Sequence, residues 1–181
     1  MRKILVLGHV DHGKTTFIRA LNSVLYYRFG IGNEADLIPG MTVSATKSAL
    51  FAVVDENYQY FDYPGFADYV NMFEAGTEKF DAALMVCSAM DGPMPETIAL
   101  ARMAKENGIE KIALYISNID CVDDEDMREI VTCEVEEALA DEGYAAPIPV
   151  VQGGSVHALE FPKEEFGDRI VDTIKAVAGL F

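Results

Sequence analysis

Ile4-Leu5-Val6-Leu7 runs straight into Gly8-His9-Val10-Asp11-His12-Gly13-Lys14-Thr15, and these twelve residues decide the fold. The first four form a continuous apolar run, the signature of a strand buried on both faces. The next eight match G-x-x-x-x-G-K-[ST]. From Lys14 to Arg28 the apolar period becomes helical, with Phe17, Ile18, Leu21, Val24 and Leu25 on one face. Strand, glycine-rich turn and helix in that order make a phosphate-binding P-loop. Gly8 and Gly13 permit backbone conformations that aim successive N–H groups inward, and those groups with the helix N-terminus cradle phosphates. Lys14 is expected to reach the β- and γ-phosphates, and the Thr15 hydroxyl to ligate Mg²⁺.

Such a site needs an acid at the end of a second strand, and Tyr58-Gln59-Tyr60-Phe61-Asp62-Tyr63-Pro64-Gly65 supplies one. Asp62 is placed to bind Mg²⁺ through water, and the Gly65 N–H to meet a γ-phosphate. The rest of the chain alternates strands and helices. Residues 29–44 form a loop. Lys47–Val54 and Tyr58–Asp62 are strands joined by a tight turn at Asp55-Glu56-Asn57, hence antiparallel. Further strands are expected at Ala82–Ser88, Lys111–Ser117 and Ile148–Gln152. Helices are expected at Ala67–Lys79, from Pro95 to a stop at Gly108, at Asp123–Asp141 and at Lys163–Ala178. In the Asp123–Asp141 helix, Met127, Ile130, Val131, Val135, Ala138 and Leu139 share one side. In the last, Phe166, Ile170, Ile174 and Val177 do. The expected architecture is α/β: one domain over 1–181, with a mostly parallel six-stranded sheet, one antiparallel edge hairpin, and helices on both faces.

Fourteen basic and 30 acidic side chains give a net charge of −16, which argues against a general nucleic-acid-binding surface. The imbalance is local. Residues 1–28 hold five bases against Asp11, whereas Asp120 to Glu142 holds eleven acids against Arg128. The net-positive stretch therefore coincides with the P-loop, and the acidic helix reads as a solvated outer face. No apolar run approaches the roughly 18 residues of a membrane span. Cys87, Cys121 and Cys133 have no pairing or metal-binding spacing, which fits reduced thiols and a cytoplasmic location.

Four motifs carry a resemblance. Gly8 to Thr16 is the P-loop wording of the translational GTPases and looks most like that of the elongation factor Tu family. Asp62-Tyr63-Pro64-Gly65-Phe66-Ala67-Asp68-Tyr69-Val70 resembles that family's D-C-P-G-H-A-D-Y-V. Met90 to Thr97 resembles T-D-G-P-M-P-Q-T, and Cys121 to Glu125 resembles M-V-D-D-E. The resemblance implies a P-loop GTPase fold that binds GTP or GDP with Mg²⁺. It implies phosphate contacts from Asp11, His12, Gly13, Lys14, Thr15, Thr16 and Gly65, base contacts from Ser117, Asn118, Asp120 and Ser155, and metal contacts from Thr15, Thr42 and Asp62. The two β-barrel domains that follow in the family are absent from this sequence, so direct tRNA carriage is not expected of it.

The departures bear on function. The family's R-G-I-T stands here as Pro39-Gly40-Met41-Thr42, which keeps the threonine and loses the arginine. The family histidine after D-x-P-G, which helps orient the attacking water, is Phe66, and no other residue is assigned as catalytic. A phenyl ring neither donates to nor accepts from water. The base-reading N-K-x-D aligns with Ser117-Asn118-Ile119-Asp120, keeping the aspartate alone, and S-A-L-K aligns with Gly154-Ser155-Val156-His157. Ser155 or a backbone N–H is left to meet the guanine carbonyl. The expectation is a guanine-nucleotide switch with slow or partner-dependent hydrolysis, read by an unidentified protein through its switch loops. Tyr26, Tyr27, Phe29, Phe66, Tyr69 and Phe73 are candidates for an apolar partner site. One alternative is a pseudo-GTPase interaction module that has lost turnover. Another is a P-loop enzyme acting on a different nucleotide or phosphorylated metabolite.

Overall fold

A computed structural model describes residues 1–32, 50–53, 58–76 and 78–181, with backbone alone described over 50–53. The strands are β1 (Arg2–Leu7), β2 (Leu50–Val53), β3 (Tyr58–Asp62), β4 (Ala82–Ser88), β5 (Ile112–Ser117) and β6 (Val150–Gln152). They form one sheet in the order β2-β3-β1-β4-β5-β6. β1 pairs in parallel with both β3 and β4, and β4-β5-β6 continue in parallel. β2 runs antiparallel to β3 at the edge, with Leu50 opposite Asp62 and Val53 opposite Gln59. The expected turn at 55–57 lies outside the described residues.

The helices are α1 (Lys14–Val24), α2 (Phe66–Ala75), α3 (Pro95–Glu106), α4 (Glu125–Asp141), α5 (Ser155–Glu160) and α6 (Glu165–Ala178). They cover both faces because alternate residues of the central strands point opposite ways. Ile4, Val6, Leu84, Val86 and Tyr115 meet Phe17 and Leu21 of α1 and Ile170 and Val177 of α6. Leu5, Leu7, Met85, Cys87 and Ile116 meet Tyr69 and Phe73 of α2, Leu100 of α3, and Val131, Val135 and Leu139 of α4. All seven residues of β4 are buried.

Several boundaries differ from expectation, each for a local reason. α1 ends at Val24 and passes into a π-helical turn, Leu25–Phe29, closed by Gly30 at φ +68°. α2 stops at Ala75 rather than Lys79, because Gly76 adopts φ +60° and its N–H returns to Met72 and Phe73. α4 buries only the i, i+4, i+8 stripe of Val131, Val135 and Leu139, while Met127 and Ile130 are about half exposed. A six-residue helix, α5, and a 3-10 turn at Ile119–Cys121 were not anticipated; both are too short for periodicity to signal. At the amino ends of the strands, Phe181 lies under the Arg2 guanidinium, 3.6 Å from ring centre, with Lys111 Nζ at 4.5 Å. Among the described residues no helix is long and apolar enough to cross a membrane.

Candidate functional site

β1 has β3 on one side and β4 on the other, so the loops after these strands converge beyond their carboxyl ends. In open α/β sheets that is where ligands bind. The loop after β1 is built on two glycines. Gly8 adopts φ +144°, and a Cβ there would lie 2.2 Å from the Val86 carbonyl oxygen, so the loop can pass β4 only as glycine. Gly13 adopts φ +92° and caps α1. Asp11, at φ +68°, is one of two non-glycine residues in the left-handed region among the described residues.

Lys14 folds back over this loop, donating from Nζ to Gly8 O at 2.8 Å and His9 O at 3.1 Å. Its side chain is buried, and burial holds its pKa below the ordinary lysine value. Asp62, Glu96 and Asp11 oppose that shift. An adjoining cavity of about 290 Å³ is lined by Val10, Asp11, Gly13, Lys14, Thr15, Thr16 and Pro64. Asp11, Gly13, Lys14, Thr15 and Thr16 therefore line one pocket. His12 does not. Its ring is buried, and neither ring nitrogen has a hydrogen-bond partner among the described residues.

Asp62, the last residue of β3, is fully buried behind Thr15. Thr15 Oγ1 donates to Asp62 Oδ2 at 2.8 Å. Burial raises the Asp62 pKa, against the Thr15 hydrogen bond, the Lys14 charge and the Tyr69 hydroxyl. Tyr69 went unrecognised as part of the site. Its hydroxyl donates to Val6 O at 2.5 Å, accepts from the Tyr63 N–H at 3.3 Å, and lies 3.3 Å from Asp62 Oδ1. One phenol from α2 thereby joins β1, β3 and the Asp62 carboxylate. In sequence Tyr69 reads as a candidate for an apolar partner site, with nothing to mark its hydroxyl. Paired hydroxyl and carboxylate oxygens beside a buried lysine fit a hard divalent cation bound with phosphate. Thr42, the third expected metal contact, lies outside the described residues.

Gly65 precedes α2 in extended conformation and Phe66 opens the helix. The Phe66 ring is partly buried against the core on the α2, α3 and α4 face of the sheet. Of the aromatic residues proposed as a partner site, Tyr69 and Phe73 are core, and Tyr26 and Phe66 are half-buried. Tyr27 and Phe29 are exposed, but they follow α1 and so flank the opposite face of the sheet from α2. Tyr27 lines a separate cavity with Leu159, Phe161 and Pro162. The six residues do not form one patch.

The residues expected to contact the base lie at the ends of β5 and β6 and in the segments that follow. Ser117 is buried, donates to His12 O at 2.7 Å, and lies 3.3 Å from Cys87 O. Its hydroxyl thus bolts the P-loop to β5. Asn118 takes the left-handed conformation at φ +58°, with Nδ2 3.3 Å from Ser88 Oγ. Asp120 is exposed on the 3-10 turn, and a Cβ added to Gly154 would lie 2.8 Å from its Oδ1. Asp120 and the Gly154 backbone are therefore adjacent. Ser155 corrects one expectation. Its hydroxyl points inward and donates to the Tyr115 hydroxyl at 3.1 Å, which leaves the loop backbone rather than this side chain to face a base.

Two acid–histidine pairs underlie the P-loop. His9 Nδ1 and Glu96 Oε2 are 2.5 Å apart, and His12 Nε2 is 3.7 Å from Asp91 Oδ2. Burial, and next the neighbouring His9, lower the His12 pKa, so His12 is held neutral. No three His, Cys, Asp or Glu side chains among the described residues are grouped to hold a metal.

The arrangement is a phosphate cradle with a cation-compatible oxygen pair at one end and the Asp120 carboxylate beside the Gly154 backbone at the other. Comparison with known families gives a match to the elongation factor Tu GTP-binding domain over residues 1–177. That match spans nearly the whole 181-residue chain, P-loop, Asp62 turn and base-reading loops included. The chain belongs to the elongation factor Tu GTP-binding domain family, a family of guanine-nucleotide-binding GTPases.

Proposed function

We propose that this domain is a guanine-nucleotide switch of the elongation factor Tu type whose intrinsic GTP hydrolysis is slow or depends on a partner. One observation carries the kinetic part. The side chain that opens α2, directly after Gly65, is Phe66, and its ring packs against the core. A hydrocarbon ring there cannot orient a water for attack. Phosphoryl transfer relies on positioning and electrostatics, and losing one such group costs about 10²–10³ in rate.

The other parts of a switch are supported by residues in place. Thr15 and Asp62 would hold Mg²⁺, whose bound charge offsets that of the phosphates. Lys14 leaves its two carbonyl partners to meet phosphate. The Gly65 segment and the Thr42 loop would order around a γ-phosphate and relax without it, presenting two surfaces to a protein partner. Asp120 beside the Gly154 backbone is suited to guanine, and with Asp120 retained adenine is not preferred. A cytoplasmic location goes with this reading and is supported by three unpaired thiols.

The test has two parts. The nucleotide-free chain is titrated with GDP, a non-hydrolysable GTP analogue and ATP, with and without Mg²⁺. Guanine-selective, Mg²⁺-dependent binding is expected. Single-turnover hydrolysis is then compared with Phe66→His, which is expected to be about 10²-fold faster. Equal rates would sink the slow-hydrolysis reading. The pseudo-GTPase alternative is favoured by Phe66 and by the commitment of the Ser117 hydroxyl to the P-loop. Absence of binding at millimolar nucleotide would establish it instead.

A further inference from the structure

Two buried hydroxyls lie between the base-reading loops and the core, and the phosphate chemistry uses neither. Tyr115 sits in β5, fully buried, with its ring 4.8 Å from that of Phe17. Its phenol oxygen accepts from Ser155 Oγ at 3.1 Å. Gly153 crosses directly over the same phenol. A Cβ there would lie 2.4 Å from the Tyr115 oxygen, while the Gly153 N–H donates to Ile116 O at 2.8 Å. Ile119 N–H returns to Gly153 O at 3.4 Å, tying the loop after β6 to the turn that carries Asp120. Gly154, the next residue, lies against the Asp120 carboxylate. The phenol therefore fixes where residues 153–155 stand relative to Asp120. Those two elements are the ones read as the guanine site.

We propose that Tyr115, through its hydrogen bond with Ser155, is a positioning residue that sets base selectivity by holding the 153–155 backbone at the correct spacing from Asp120. The inference rests on the guanine-nucleotide reading above. It adds a specificity device that acts through the loop and touches no ligand. The phenol is the only fixed partner of Ser155 Oγ among the described residues. Removing either hydroxyl leaves the other buried and unpaired, and frees the loop to drift. The hydrogen bond between them involves no P-loop residue, and Tyr115→Phe keeps the ring that packs on Phe17, so the phosphate end is expected to be untouched.

The experiment measures Mg²⁺-dependent affinities of the full chain for GDP, IDP, ADP and tripolyphosphate, in the parent, Tyr115→Phe, Ser155→Ala and the double variant. Each single variant is expected to lose about tenfold in GDP affinity and in the GDP-to-ADP ratio. IDP, which shares the 6-carbonyl, should fall in step with GDP, and tripolyphosphate should bind within twofold of the parent. The double variant should be no worse than the singles, because one device has been removed twice. An unchanged GDP-to-ADP ratio in both single variants overturns the inference. So does parallel loss of GDP and tripolyphosphate, which marks general destabilisation, or additive loss in the double. A parent that binds tripolyphosphate but no guanine nucleotide overturns the guanine reading itself, and the inference with it.

Discussion

Ser117→Ala removes the hydroxyl that bolts the P-loop to the end of β5. The side chain is fully buried and has one proton, which goes to His12 O at 2.7 Å; Cys87 O lies further off at 3.3 Å. Alanine leaves the His12 carbonyl without this donor in a place that water does not reach. A hydrogen bond lost in this way costs about 1–3 kcal/mol, because the orphaned group bears its full desolvation penalty. For a domain of this size each kcal/mol moves Tm by about 2–4 °C, so a fall of about 2–12 °C is expected. The assay is thermal and urea unfolding of the nucleotide-free chain, with the urea m-value unchanged if the compactness of both states is unchanged. Nucleotide at 100 times its own Kd adds about 2.7 kcal/mol to either protein and so leaves the gap in place. The parent should gain more at equal concentration, because a loosened P-loop binds phosphate more weakly. A Tm within 1 °C of the parent, with unaltered nucleotide affinity, would refute the bolt.

Three further outcomes follow from the same site. Asp62→Asn should raise Tm in chelator and without nucleotide, by about 1 kcal/mol equivalent, since the amide still accepts from Thr15 and no buried charge remains. The same variant should lose Mg²⁺-dependent nucleotide binding, as calorimetry would read. His12 is held neutral by burial, facing His9, Asp91, Lys14 and Asp11, so its pKa in the fold lies below the ordinary 6.5. Unfolded chain then takes up the proton first. Stability is fully present above about pH 6.5 and falls as pH drops below it, and a His12→Gln variant should flatten that part of a Tm–pH profile. Burial pushes the Cys87 thiol up to about 12, so thiol titration of the native protein should count two reactive cysteines, Cys121 and Cys133, with the third appearing on unfolding.

The phosphate end of the site was legible because its demands are local. Gly8 and Gly13 are required by backbone conformation, Lys14 and Thr15 follow at fixed offsets, and Asp62 announces itself before a Pro-Gly turn. The mostly parallel sheet with its antiparallel edge pair followed from alternation, from the continuous apolar runs of β1, β4 and β5, and from the short connection between β2 and β3. What escaped were contacts between residues distant in sequence. Tyr69 reads as a candidate for an apolar partner site, and nothing nearby tells that its hydroxyl meets Val6 and Asp62. Ser155 reads as a base contact until Tyr115, forty residues earlier, is seen to accept from it. Met127 and Ile130 fit the helical period of α4, yet the helix meets the sheet through a stripe too narrow to include them. Periodicity reports which residues share a face; the width of the contact is set by the neighbours.

The Phe181 ring held between Arg2 and Lys111 brings the two ends of this sequence together at the amino ends of the central strands, opposite the P-loop. The order in which the chain visits its strands is therefore separable from the nucleotide site. A short bridge from Phe181 to Met1 would close the backbone into a ring without crossing any loop that touches phosphate or base. The ring could then be reopened at the exposed Asn107-Gly108 turn, on the same side of the molecule. Such a permuted chain keeps every contact of the site while making β5 the first strand synthesised. Whether the P-loop must be made first for the domain to fold thereby becomes a question of topology, posed without altering one residue of the pocket.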